Sequence, residues 1–563
     1  MPSLRVHIET FGCQMNELDS ELVVGQLRTL GYRLTPDPDE ADVVLYNTCS
    51  VREHAEQKVW SRLGELAIRK RREPGLVVGV LGCLAERDGV ALVRRMPVVD
   101  VLCGPAELDK LPALLDNAVR TRAAMLADAP DASPAGGAGH WSAERSAFQV
   151  ALQGSSSRRS AVLAAAEDSL ELLDLSRAVS PIDADPDRPR ATAYVRITRG
   201  CNKFCSYCVV PFTRGAEVHR PPDHIVDECR RLADAGVIEV TLLGQTVNHY
   251  RFEHGAAVTV HGLTQPQKGR SYAGGHRRDP FSGEHTTTFA DLLARIHDRV
   301  PAIQRLRFVT SYPRDFGDDV LEAMRDHPRI CRYLHVPAQS GSDRILRAMN
   351  RGYGVSEYVE FLDRARSFLD RPDLGRPLMV SGDFIVGFPS ETDKDFALTV
   401  ELLRRCRYKN AFIFKYSPRP GTTAHDRLPD DVPERDKRRR NNELLAEQAR
   451  ISDEISREQV GRTFPVLIEG ISRREEKKAS RRRESPGAVA LTVFGRGSMT
   501  TAAVDEAAQA TVQLSGRTDG DQIVFVDVPG TDGQGRSARS LIGRIVPVQV
   551  TSARSLGLMG RVV

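Results

Sequence analysis

Three cysteines stand close together near the middle of the chain, in the run Cys201-Asn-Lys-Phe-Cys205-Ser-Tyr-Cys208 (the central triad). Thiolates at i, i+4 and i+7 can bind three irons of a cubane cluster, and the fourth iron then has no protein ligand. Ferredoxin-type carriers use C-x2-C-x2-C with a fourth cysteine, which closes every iron. Zinc sites favour paired C-x2-C motifs with four ligands, and no further cysteine or adjacent histidine follows here. The spacing therefore indicates an iron–sulfur cluster with one iron open to a small molecule.

A second set of cysteines is scattered along the sequence but regular in predicted position. Cys13, Cys49 and Cys83 (the N-terminal triad) each come just after a predicted β-strand. Because the carboxyl ends of parallel strands lie along one edge of a sheet, the three thiols are expected to converge. A single cysteine in such a place is most simply a small buried hydrophobe. Three at equivalent positions favour a second cluster site.

The other four of the ten cysteines are predicted to be structural. Cys103 also ends a predicted strand, but one step further out, so its position leaves a ligand role open while favouring a structural one. Cys229, Cys331 and Cys406 occur singly in helix or strand patterns, which is typical of core cysteines.

Residues 1–120 have the pattern of the sheet that the N-terminal triad requires. Short β-rich runs alternate with amphipathic stretches of helical length, which predicts a small parallel α/β sheet. The predicted strands are Arg5–Phe11, Val43–Asn47, Leu76–Leu81 and Val98–Leu102, and the predicted helices are Asn16–Leu30 and Val51–Lys70. Asn16 and Asp88 stand where helix N-caps are expected.

Residues 191–428 return to the same alternation, and the central triad follows the first of six predicted strands. Such a repeat favours a full or partial parallel barrel, whose loops at the strand carboxyl ends carry the chemistry. The predicted strands are Ala193–Thr198, Glu239–Leu243, Arg305–Thr310, Tyr333–Val336, Asp383–Val386 and Ala411–Lys415. The predicted helices are Pro222–Ala235, Phe289–Val300, Asp318–Asp326, Ser356–Phe368 and Asp393–Cys406.

A polar stretch, 251–288, interrupts the loop after the second barrel strand. It contains four histidines, His254, His261, His276 and His285. Their irregular spacing among Gly, Arg and Thr favours a disordered loop over a metal site.

The remaining segments differ in composition. Ala, Ser, Pro and Gly make up 35 of the 69 residues in 122–190, which predicts a linker with one helix around Val162–Leu175. Glu434–Gln459 is predicted to be a charged connecting helix. Residues 461–563 hold short β runs separated by Gly, Pro and Asp, typical of a small β-barrel, with a polar insertion at 474–511. Those runs are Phe464–Glu469, Ile523–Asp527 and Val546–Thr551.

Composition excludes several classes of protein. A chain of 563 residues can bury several cores. Its longest apolar runs, such as Leu76–Ala85, are about half the length that a bilayer span requires. The N-terminus lacks the pattern of a signal peptide, and ten cysteines are too few for a disulfide scaffold. These features predict an intracellular protein outside the membrane.

The net charge of +4 is unevenly distributed. Residues 461–563 hold 15 Lys+Arg against 10 Asp+Glu, so they carry +5 and the rest of the chain carries −1. A basic β module suits the binding of nucleic acid phosphates. Part of the excess, Lys477, Lys478 and Arg481-Arg482-Arg483, lies within the insertion, where a solvated loop is an equal alternative.

The sequence motifs around both triads resemble those of the methylthiotransferase family of radical S-adenosylmethionine enzymes. The matching runs are Thr10-Phe-Gly-Cys-Gln-Met-Asn16, Asn47-Thr-Cys-Ser-Val-Arg52, Gly200-Cys-Asn-Lys-Phe-Cys-Ser-Tyr-Cys-Val-Val-Pro-Phe-Thr-Arg-Gly215, Leu243-Gly-Gln-Thr-Val-Asn248, His335-Val-Pro-Ala-Gln-Ser-Gly-Ser342, Asp383-Phe-Ile-Val-Gly-Phe-Pro389 and Tyr416-Ser-Pro-Arg-Pro-Gly-Thr422. The resemblance covers nearly all of 1–120 and 191–428, with a weaker match at 461–563 to the RNA-binding TRAM domain. Within the family, the sequences of these motifs are most similar to those of the branch that acts on N6-isopentenyladenosine beside the anticodon of tRNA.

The resemblance implies two [4Fe–4S] clusters and S-adenosylmethionine as cofactors. The central triad would hold the cluster that binds S-adenosylmethionine and cleaves it to a deoxyadenosyl radical, which takes hydrogen from C2 of the adenine. The N-terminal triad would hold the cluster that carries the sulfur, which a second S-adenosylmethionine methylates. The cofactors would carry out the radical and sulfur-transfer steps, so no side chain is assigned a catalytic role.

Further contacts are implied less directly. Tyr207, Gly244 and Gln245 stand where this superfamily contacts S-adenosylmethionine, with packing as the alternative. Gln339 and Ser340 end the fourth barrel strand and would reach the nucleoside or ribose hydroxyls. Arg214 is a candidate contact for a substrate or cofactor carboxylate, or an ordinary salt bridge.

The implied fold is α/β with five segments. They are a methylthiotransferase domain with an auxiliary cluster at 1–121, a low-complexity linker at 122–190, a partial (β/α)6 radical S-adenosylmethionine barrel at 191–430 with the insertion 251–288, a connecting helix at 431–460, and a small antiparallel TRAM-like RNA-binding barrel at 461–563 with the insertion 474–511. The linker and both insertions are longer than the family usually needs.

The implied partners are the anticodon loop of tRNA and a reducing electron donor such as a flavodoxin or a ferredoxin. A cytoplasmic monomer with no membrane contact is the expectation. Two alternatives stay open: the same chemistry on threonylcarbamoyl-adenosine in tRNA or on a ribosomal protein aspartate, and a non-catalytic iron–sulfur protein that binds RNA or carries electrons.

Overall fold

The computed structural model describes most of the chain in three folded units joined by helices. The described residues are 4–50, 53–127, 148–153, 168–177, 190–269, 283, 285–483, 511–531, 537–554 and 557–563.

The N-terminal unit is a parallel sheet covered by helices on both faces, as predicted. Its strands are β1 (Arg5–Phe11), β2 (Arg33–Leu34), β3 (Val43–Thr48), β4 (Val77–Gly82), β5 (Val101–Cys103) and β6 (Gln149–Ala151), in the order β2-β1-β3-β4-β5-β6. Its helices are α1 (Gln14–Thr29), α2 (Glu53–Arg72), α3 (Cys83–Asp88), α4 (Val90–Arg95) and α5 (Leu111–Ala127). Every residue of β3 and β4 is buried, as expected for central strands with helices on both faces.

The segment 122–190 is more structured than the predicted linker. Helix α5 continues to Ala127, β6 pairs with β5 as the last strand of the sheet, and α6 (Ser169–Leu175) lies beyond it. The helix predicted around Val162–Leu175 is confirmed over α6, and its first part lies outside the described residues. Composition alone did not indicate β6, because three residues are too few to show a period.

Helix α6 joins the N-terminal unit to the barrel through buried charges. Arg177, just after α6, donates to Glu21 of α1 and to Glu228 at 2.9 Å. Asp174 accepts two hydrogen bonds from Arg196, at 2.8 and 2.9 Å. These side chains are at most 5% exposed, apart from that of Glu21. The contact between the two units is therefore a network of ion pairs that is largely shielded from water.

The six predicted barrel strands are confirmed, with ends shifted by a few residues. They form two parallel half-sheets, β16-β10-β7 and β17-β18-β19, and a parallel bridge between Leu306 and Ile330 links the halves. In chain order the barrel elements are β7 (Thr192–Arg196), β8 (Thr198–Arg199), α7 (Val210–Thr213), β9 (Val218–His219), α8 (Pro222–Asp234), β10 (Glu239–Leu243), β11 (Arg251–Glu253), β12 (Thr259–Val260), β13 (Leu263–Thr264), β14 (Gln267–Lys268), β15 (Thr286–Thr288), α9 (Phe289–Arg299), β16 (Arg305–Phe308), α10 (Asp318–Asp326), β17 (Tyr333–His335), α11 (Asp343–Ala348), α12 (Val355–Leu369), β18 (Met379–Val386), α13 (Asp393–Cys406), β19 (Asn410–Lys415) and α14 (Thr423–Arg427).

The polar insertion 251–288 is folded where it is described, so the prediction of a disordered loop is wrong for that part. It forms short antiparallel pairs, β11 with β15 and β12 with β13, and β14 pairs with β9 beside the central triad. Of its four histidines, His276 lies outside the described residues.

The connecting helix and the C-terminal barrel are confirmed. Helix α15 (Glu434–Arg457) leads to a closed barrel in the order β20-β21-β22-β24-β23. Its elements are β20 (Thr463–Ile471), α16 (Arg473–Arg483), β21 (Thr511–Arg517), β22 (Ile523–Pro529), β23 (Ile545–Arg554) and β24 (Gly557–Val562). The barrel is antiparallel except where β22 pairs with β24 in parallel, because β23 lies between them in sequence. Helix α16 occupies the first part of the predicted insertion.

No helix in the described part of the chain has both the length and the apolar character to span a bilayer.

Candidate functional site

The sheet brings the N-terminal triad together at one edge. Cys13, Cys49 and Cys83 directly follow β1, β3 and β4, which are neighbours in the sheet. Cys49 contributes a hydrogen bond to Cys13, and Cys13 lies within electrostatic range of Cys83. A β-carbon on Gly12 would lie 2.6 Å from Cβ of Cys49, so the first turn needs glycine for this approach.

Two buried asparagines hold these turns in register. Nδ2 of Asn16 donates to Oδ1 of Asn47 at 2.8 Å, and Nδ2 of Asn47 donates to the Asn16 carbonyl and to Oγ of Ser20, both at 2.9 Å. Gly82, with φ of 85°, packs against the pair, and any side chain there would clash with Asn47. The residue before Cys83 must therefore be glycine.

Neither predicted N-cap acts as one. Helix α1 begins at Gln14 with Cys13 at its N-cap position, so Asn16 lies in the first turn and its side-chain amide bonds to Asn47 of β3 instead. Asp88 ends α3, and Gly89 precedes α4. In both places the tertiary contact or the chain reversal overrides the local capping preference.

A barrel arginine supplies positive charge to the N-terminal triad. Nη2 of Arg214 donates to Oδ2 of Asp19 at 2.8 Å, and all three of Asp19, Arg196 and Arg214 are buried. The hydrogen bond from Cys49, together with the charge of Arg214, outweighs burial and lowers the pKa of Cys13 to about 6. Burial raises the pKa of Cys83. Arg214 thus forms a salt bridge at the N-terminal triad, but the pair is buried, whereas the alternative expected for it was a salt bridge at the surface.

The loop of the central triad is fixed by backbone contacts. The Cys201 amide donates to the Gly215 carbonyl at 3.2 Å, and the Cys208 amide donates to the Cys205 carbonyl at 2.9 Å. Phe204 adopts a left-handed conformation with φ of 48°, and Nδ2 of Asn350 donates to its carbonyl at 2.9 Å. These contacts within the barrel hold the backbone of the loop that carries the three thiols.

A half-buried arginine lies against the central triad. Nη1 of Arg351 donates to Sγ of Cys205 at 3.3 Å, and its guanidinium lies 4.6 Å from the Tyr312 ring centre. Burial, with the nearby charge of Glu217, raises the pKa of Cys201 to about 11. Burial raises the pKa of Cys208 as well, so Cys201 and Cys208 stay protonated until a metal displaces the proton.

A cavity of 520 Å³ opens beside the central triad. Tyr207, Cys208 and Gln339 line it, together with Asp383 of β18 and Lys415 of β19. Oε1 of Gln339 is buried with no hydrogen-bond partner in the described part of the chain, so it is available to a ligand. Gln339 is held in a left-handed conformation with φ of 71°, which is costly unless the position has a use.

The other expected contacts lie nearby but outside this cavity. Among the residues that line the cavity in the described part of the chain, Gly244 and Gln245 are absent. They belong to the turn that reaches the central triad through Thr246, whose Oγ1 lies 3.5 Å from Sγ of Cys201. Ser340 hydrogen-bonds with Thr399 at 3.4 Å and is buried, which indicates a structural role.

The N-terminal unit closes one side of the cavity. Gln57 of α2 lines it, and Glu56 accepts a hydrogen bond from Nη1 of Arg419, a lining residue, at 2.8 Å. Arg87 makes a bidentate pair with Glu56, at 2.7 and 3.0 Å. The cavity therefore lies between the two units that carry the triads.

Cys103 and the single cysteines are buried, as expected of structural cysteines. Sγ of Cys103 lies 3.2 Å from the Glu107 carbonyl, and the thiol is fully buried. Cys229, Cys331 and Cys406 are buried in the described core.

Sequence reasoning missed Arg351, Asp19 and the pair Asn16–Asn47. Each is a single polar residue whose partner is distant in sequence. The only available signal was a polar residue within an otherwise core-facing pattern, as at Asp19 in α1.

Two family models match the chain. The family described as "Uncharacterized protein family UPF0004" matches residues 5–104, which span the N-terminal triad and β1 to β5. The Radical SAM superfamily matches residues 195–403, which span the central triad and most of the barrel.

Among solved structures, the chain is similar to a cobalamin-dependent S-adenosylmethionine radical enzyme, OxsB, with aqua-cobalamin and S-adenosylmethionine bound. The TM-score is 0.42 and the identity is 10%, over 80% of this chain and 56% of that one.

Curated relatives match over nearly the whole length. A protein of Rhodopirellula baltica named tRNA-2-methylthio-N(6)-dimethylallyladenosine synthase is 39% identical over 99% of this chain and 95% of its own length. A protein of Yersinia enterocolitica with the same name is 39% identical over 85% of each chain. The chain therefore belongs to the tRNA-2-methylthio-N(6)-dimethylallyladenosine synthase family of radical S-adenosylmethionine enzymes.

Proposed function

We propose that this enzyme methylthiolates C2 of N6-isopentenyladenosine beside the anticodon of tRNA. The observation that carries the proposal is that the similarity to named synthases runs through 99% of the chain and includes both cysteine triads. An electron carrier or a simple RNA-binding protein needs only one of these two sites.

The donor sets fit two [4Fe–4S] clusters. Each site offers three thiols and no carboxylate or imidazole among the residues proposed as ligands, which is the soft donor set that iron–sulfur clusters use. Cys13, Cys49 and Cys83 would hold one cluster, and Cys201, Cys205 and Cys208 the other. When bound, the clusters and S-adenosylmethionine supply the radical and the sulfur, and three ligands leave one iron of each cluster open.

The chain's own residues bind and orient the reactants. Tyr207 and the free amide oxygen of Gln339 line the cavity and suit the polar edges of S-adenosylmethionine or of the nucleoside. Ile385, Ile413 and Phe414 line it as well and suit an apolar N6 substituent. Gly244 and Gln245 are proposed to contact S-adenosylmethionine from the turn beside Cys201.

Exclusion of water is the second contribution. The network of Glu56, Arg87 and Arg419 holds the N-terminal unit against one side of the cavity beside the central triad, so that side is covered. Enclosure protects a reactive intermediate from side reactions.

The proposed partners follow from the same similarity to named synthases. The C-terminal barrel, with its net charge of +5, is proposed to bind tRNA phosphates. A reducing protein such as a flavodoxin or a ferredoxin is proposed to supply electrons. We propose that the enzyme acts as a monomer in the cytoplasm, where its tRNA substrate is found.

The test compares tRNA nucleosides from a deletion strain with those from its complemented parent by mass spectrometry. Loss of 2-methylthio-isopentenyladenosine, restored by the intact gene, is the expected result. Normal levels of that nucleoside, with loss of the 2-methylthio derivative of threonylcarbamoyl-adenosine or of a methylthiolated ribosomal aspartate, would reassign the substrate. Failure of the purified, reconstituted enzyme to form deoxyadenosine would favour a non-catalytic protein.

A further inference from the structure

Three metal-binding side chains lie together in the barrel, outside both cysteine triads. Glu217 and His219 come from the segment of β9, and His249 comes from the loop after β10. Each is at most 3% exposed. The ligand atoms that they offer all lie within 4.8 Å of one another. The histidines of the insertion that the structure describes, His254, His261 and His285, do not belong to this group.

The carboxylate of Glu217 is the centre of the group. Its Oε1 faces Nε2 of His219 at 2.7 Å and Nδ1 of His249. Its Oε2 is buried and has no hydrogen-bond partner in the described part of the chain. A buried carboxylate oxygen without a partner is costly, and it points to a ligand that the two imidazoles do not replace.

The ring of His219 can present a lone pair to an ion in one of its two tautomers. Its Nδ1 lies 2.5 Å from the Arg251 carbonyl oxygen, and the Arg251 amide donates to the same nitrogen at 2.8 Å. With the proton on Nδ1, the ring donates to the carbonyl, gives up the hydrogen bond from the amide, and leaves Nε2 as an acceptor facing Glu217. A histidine that donates one ring N–H to a carbonyl while the other nitrogen binds a metal is the usual arrangement in metal sites.

The group stands where the insertion meets the cluster loop. Strand β14 of the insertion pairs with β9 through Gln267 and His219. The Gly269 amide donates to the Glu217 carbonyl at 2.9 Å, and Nδ2 of Asn202, beside Cys201, donates to the Gly269 carbonyl at 3.2 Å. An ion bound here would fasten the insertion to the loop that carries the central triad.

We propose that Glu217, His219 and His249 form a mononuclear site for a divalent transition metal ion, with zinc as the ion that fits best. Two imidazoles and one carboxylate are common zinc ligands, with bonds of about 2.0–2.1 Å, which place neighbouring ligand atoms about 3.3 Å apart. Nε2 of His219, now 2.7 Å from Oε1 of Glu217, would therefore move away from it by about half an ångström, and pairs nearer the 4.8 Å limit would close. Oε2 of Glu217 would complete a four-coordinate site as the second oxygen of a bidentate carboxylate. The site is structural, and it does not depend on which nucleoside the enzyme modifies.

The test measures zinc in the intact enzyme. Protein purified without oxygen, with its clusters in place, is dialysed against zinc chloride and desalted, and metals are determined by plasma mass spectrometry. About one zinc per chain is expected in addition to the cluster iron, and X-ray absorption at the zinc edge is expected to show nitrogen and oxygen neighbours only. That absorption signature separates this site from zinc bound at empty cysteine sites, which would show sulfur.

Variants identify the ligands. The double variant His219→Asn/His249→Asn is expected to lower the zinc content about tenfold or more while keeping the iron content. The matched control is His297→Asn/His327→Asn, which removes a second pair of histidines close enough to bind an ion but lying near the surface. This control is expected to keep its zinc.

Three results would overturn the proposal. Wild-type enzyme that retains less than about a tenth of a zinc per chain, zinc with sulfur neighbours, or zinc lost from the surface control and not from His219→Asn/His249→Asn would each leave a hydrogen-bonded Glu–His–His group without a metal. The first two results come from wild-type protein, so they hold even if the variants fail to fold.

Discussion

Cys201, Cys205 and Cys208 lie on one loop of eight residues, whereas Cys13, Cys49 and Cys83 each follow a different strand of a parallel sheet. The central triad is positioned by its own loop, with Asn350 and backbone hydrogen bonds as supports. The N-terminal triad depends on the register of β1, β3 and β4. Both sites therefore present three thiols, but the central triad is arranged by a short stretch of sequence and the N-terminal triad by the order of the strands in the sheet.

The two sites also differ in their charged neighbours. The arginine at the central triad, Arg351, comes from within the barrel. The arginine at the N-terminal triad, Arg214, comes from the barrel and crosses to Asp19 of the other unit. The N-terminal site therefore gains this positive charge only when both units are docked, whereas Arg351 belongs to the same unit as the central triad.

The largest expected effect separates the two sites by function. Cys205→Ala should lower both deoxyadenosine formation and methylthiolated product by at least about 100-fold, because both require the central cluster. Cys49→Ala should lower the product as much but retain deoxyadenosine formation. Each variant should bind about four irons in place of about eight after anaerobic reconstitution. Iron analysis measures the iron content, and chromatography of the reaction measures deoxyadenosine and the methylthiolated product. Equal loss of deoxyadenosine in both variants would contradict this division of roles between the two clusters.

The hydrogen bonds that support the two sites should contribute differently to the free energy of unfolding. Asn47→Ala removes three buried hydrogen bonds and leaves their partners unsatisfied, so we expect it to lower the free energy of unfolding by about 4 kcal/mol. Asn350→Ala removes one exposed hydrogen bond and should cost about 1 kcal/mol. Denaturant unfolding of the two variants side by side measures the difference, and equal losses would show that the central loop is supported as globally as the sheet.

Acid should act on the seam between the units before it acts on the central loop. Glu171 of α6 accepts from Nε of Arg220 at 2.8 Å; burial alone would raise its pKa, but the charge of Arg220 holds the pKa of Glu171 at about 2. Because this folded-state pKa is below the ordinary value of 4.5, the stabilisation is fully present above about pH 4.5 and is lost as pH falls through 2. It amounts to about 3 kcal/mol.

The measurement for this prediction is the unfolding free energy of wild type and Glu171→Gln as a function of pH. The difference between them should be constant from pH 7 to 5 and shrink between pH 4.5 and 2. A difference that does not change with pH would mean that the ionised carboxylate makes no net contribution to the seam.

The smallest expected effect concerns the local arginine. Arg351→Lys keeps the charge beside Cys205 but loses the planar guanidinium, so deoxyadenosine formation should fall about tenfold with no loss of iron. Arg347→Lys, an exposed position on α11, is the matched control and should have the wild-type rate. An unchanged rate in Arg351→Lys would show that only the charge matters at this site.

The parts of the molecule that follow local rules were predictable. The central triad could be identified from three spacings, and the six barrel strands from their alternation with helices. The N-terminal triad was predictable as well, because its members share a position relative to strands even though they are far apart in sequence.

The parts that depend on distant partners were not predictable. Asn16 has the residue type and place of an N-cap, yet its amide bonds to Asn47 across the sheet. Strand β6 lies in a stretch rich in Ala and Ser, where composition hides an element of three residues. In the insertion, strands of two or three residues are too short to show any period.

Asp19 has a consequence for the order of events during synthesis. Cys83, the last cysteine of its triad, leaves the ribosome 131 residues before Arg214, the arginine that pairs with Asp19. At typical elongation rates that interval is on the order of 10 s. For that time the sheet can fold with its three thiols at one edge but without the positive charge that faces them. We therefore expect the nascent N-terminal unit to be a poor acceptor of its cluster, and cofactor loading to follow docking rather than precede it.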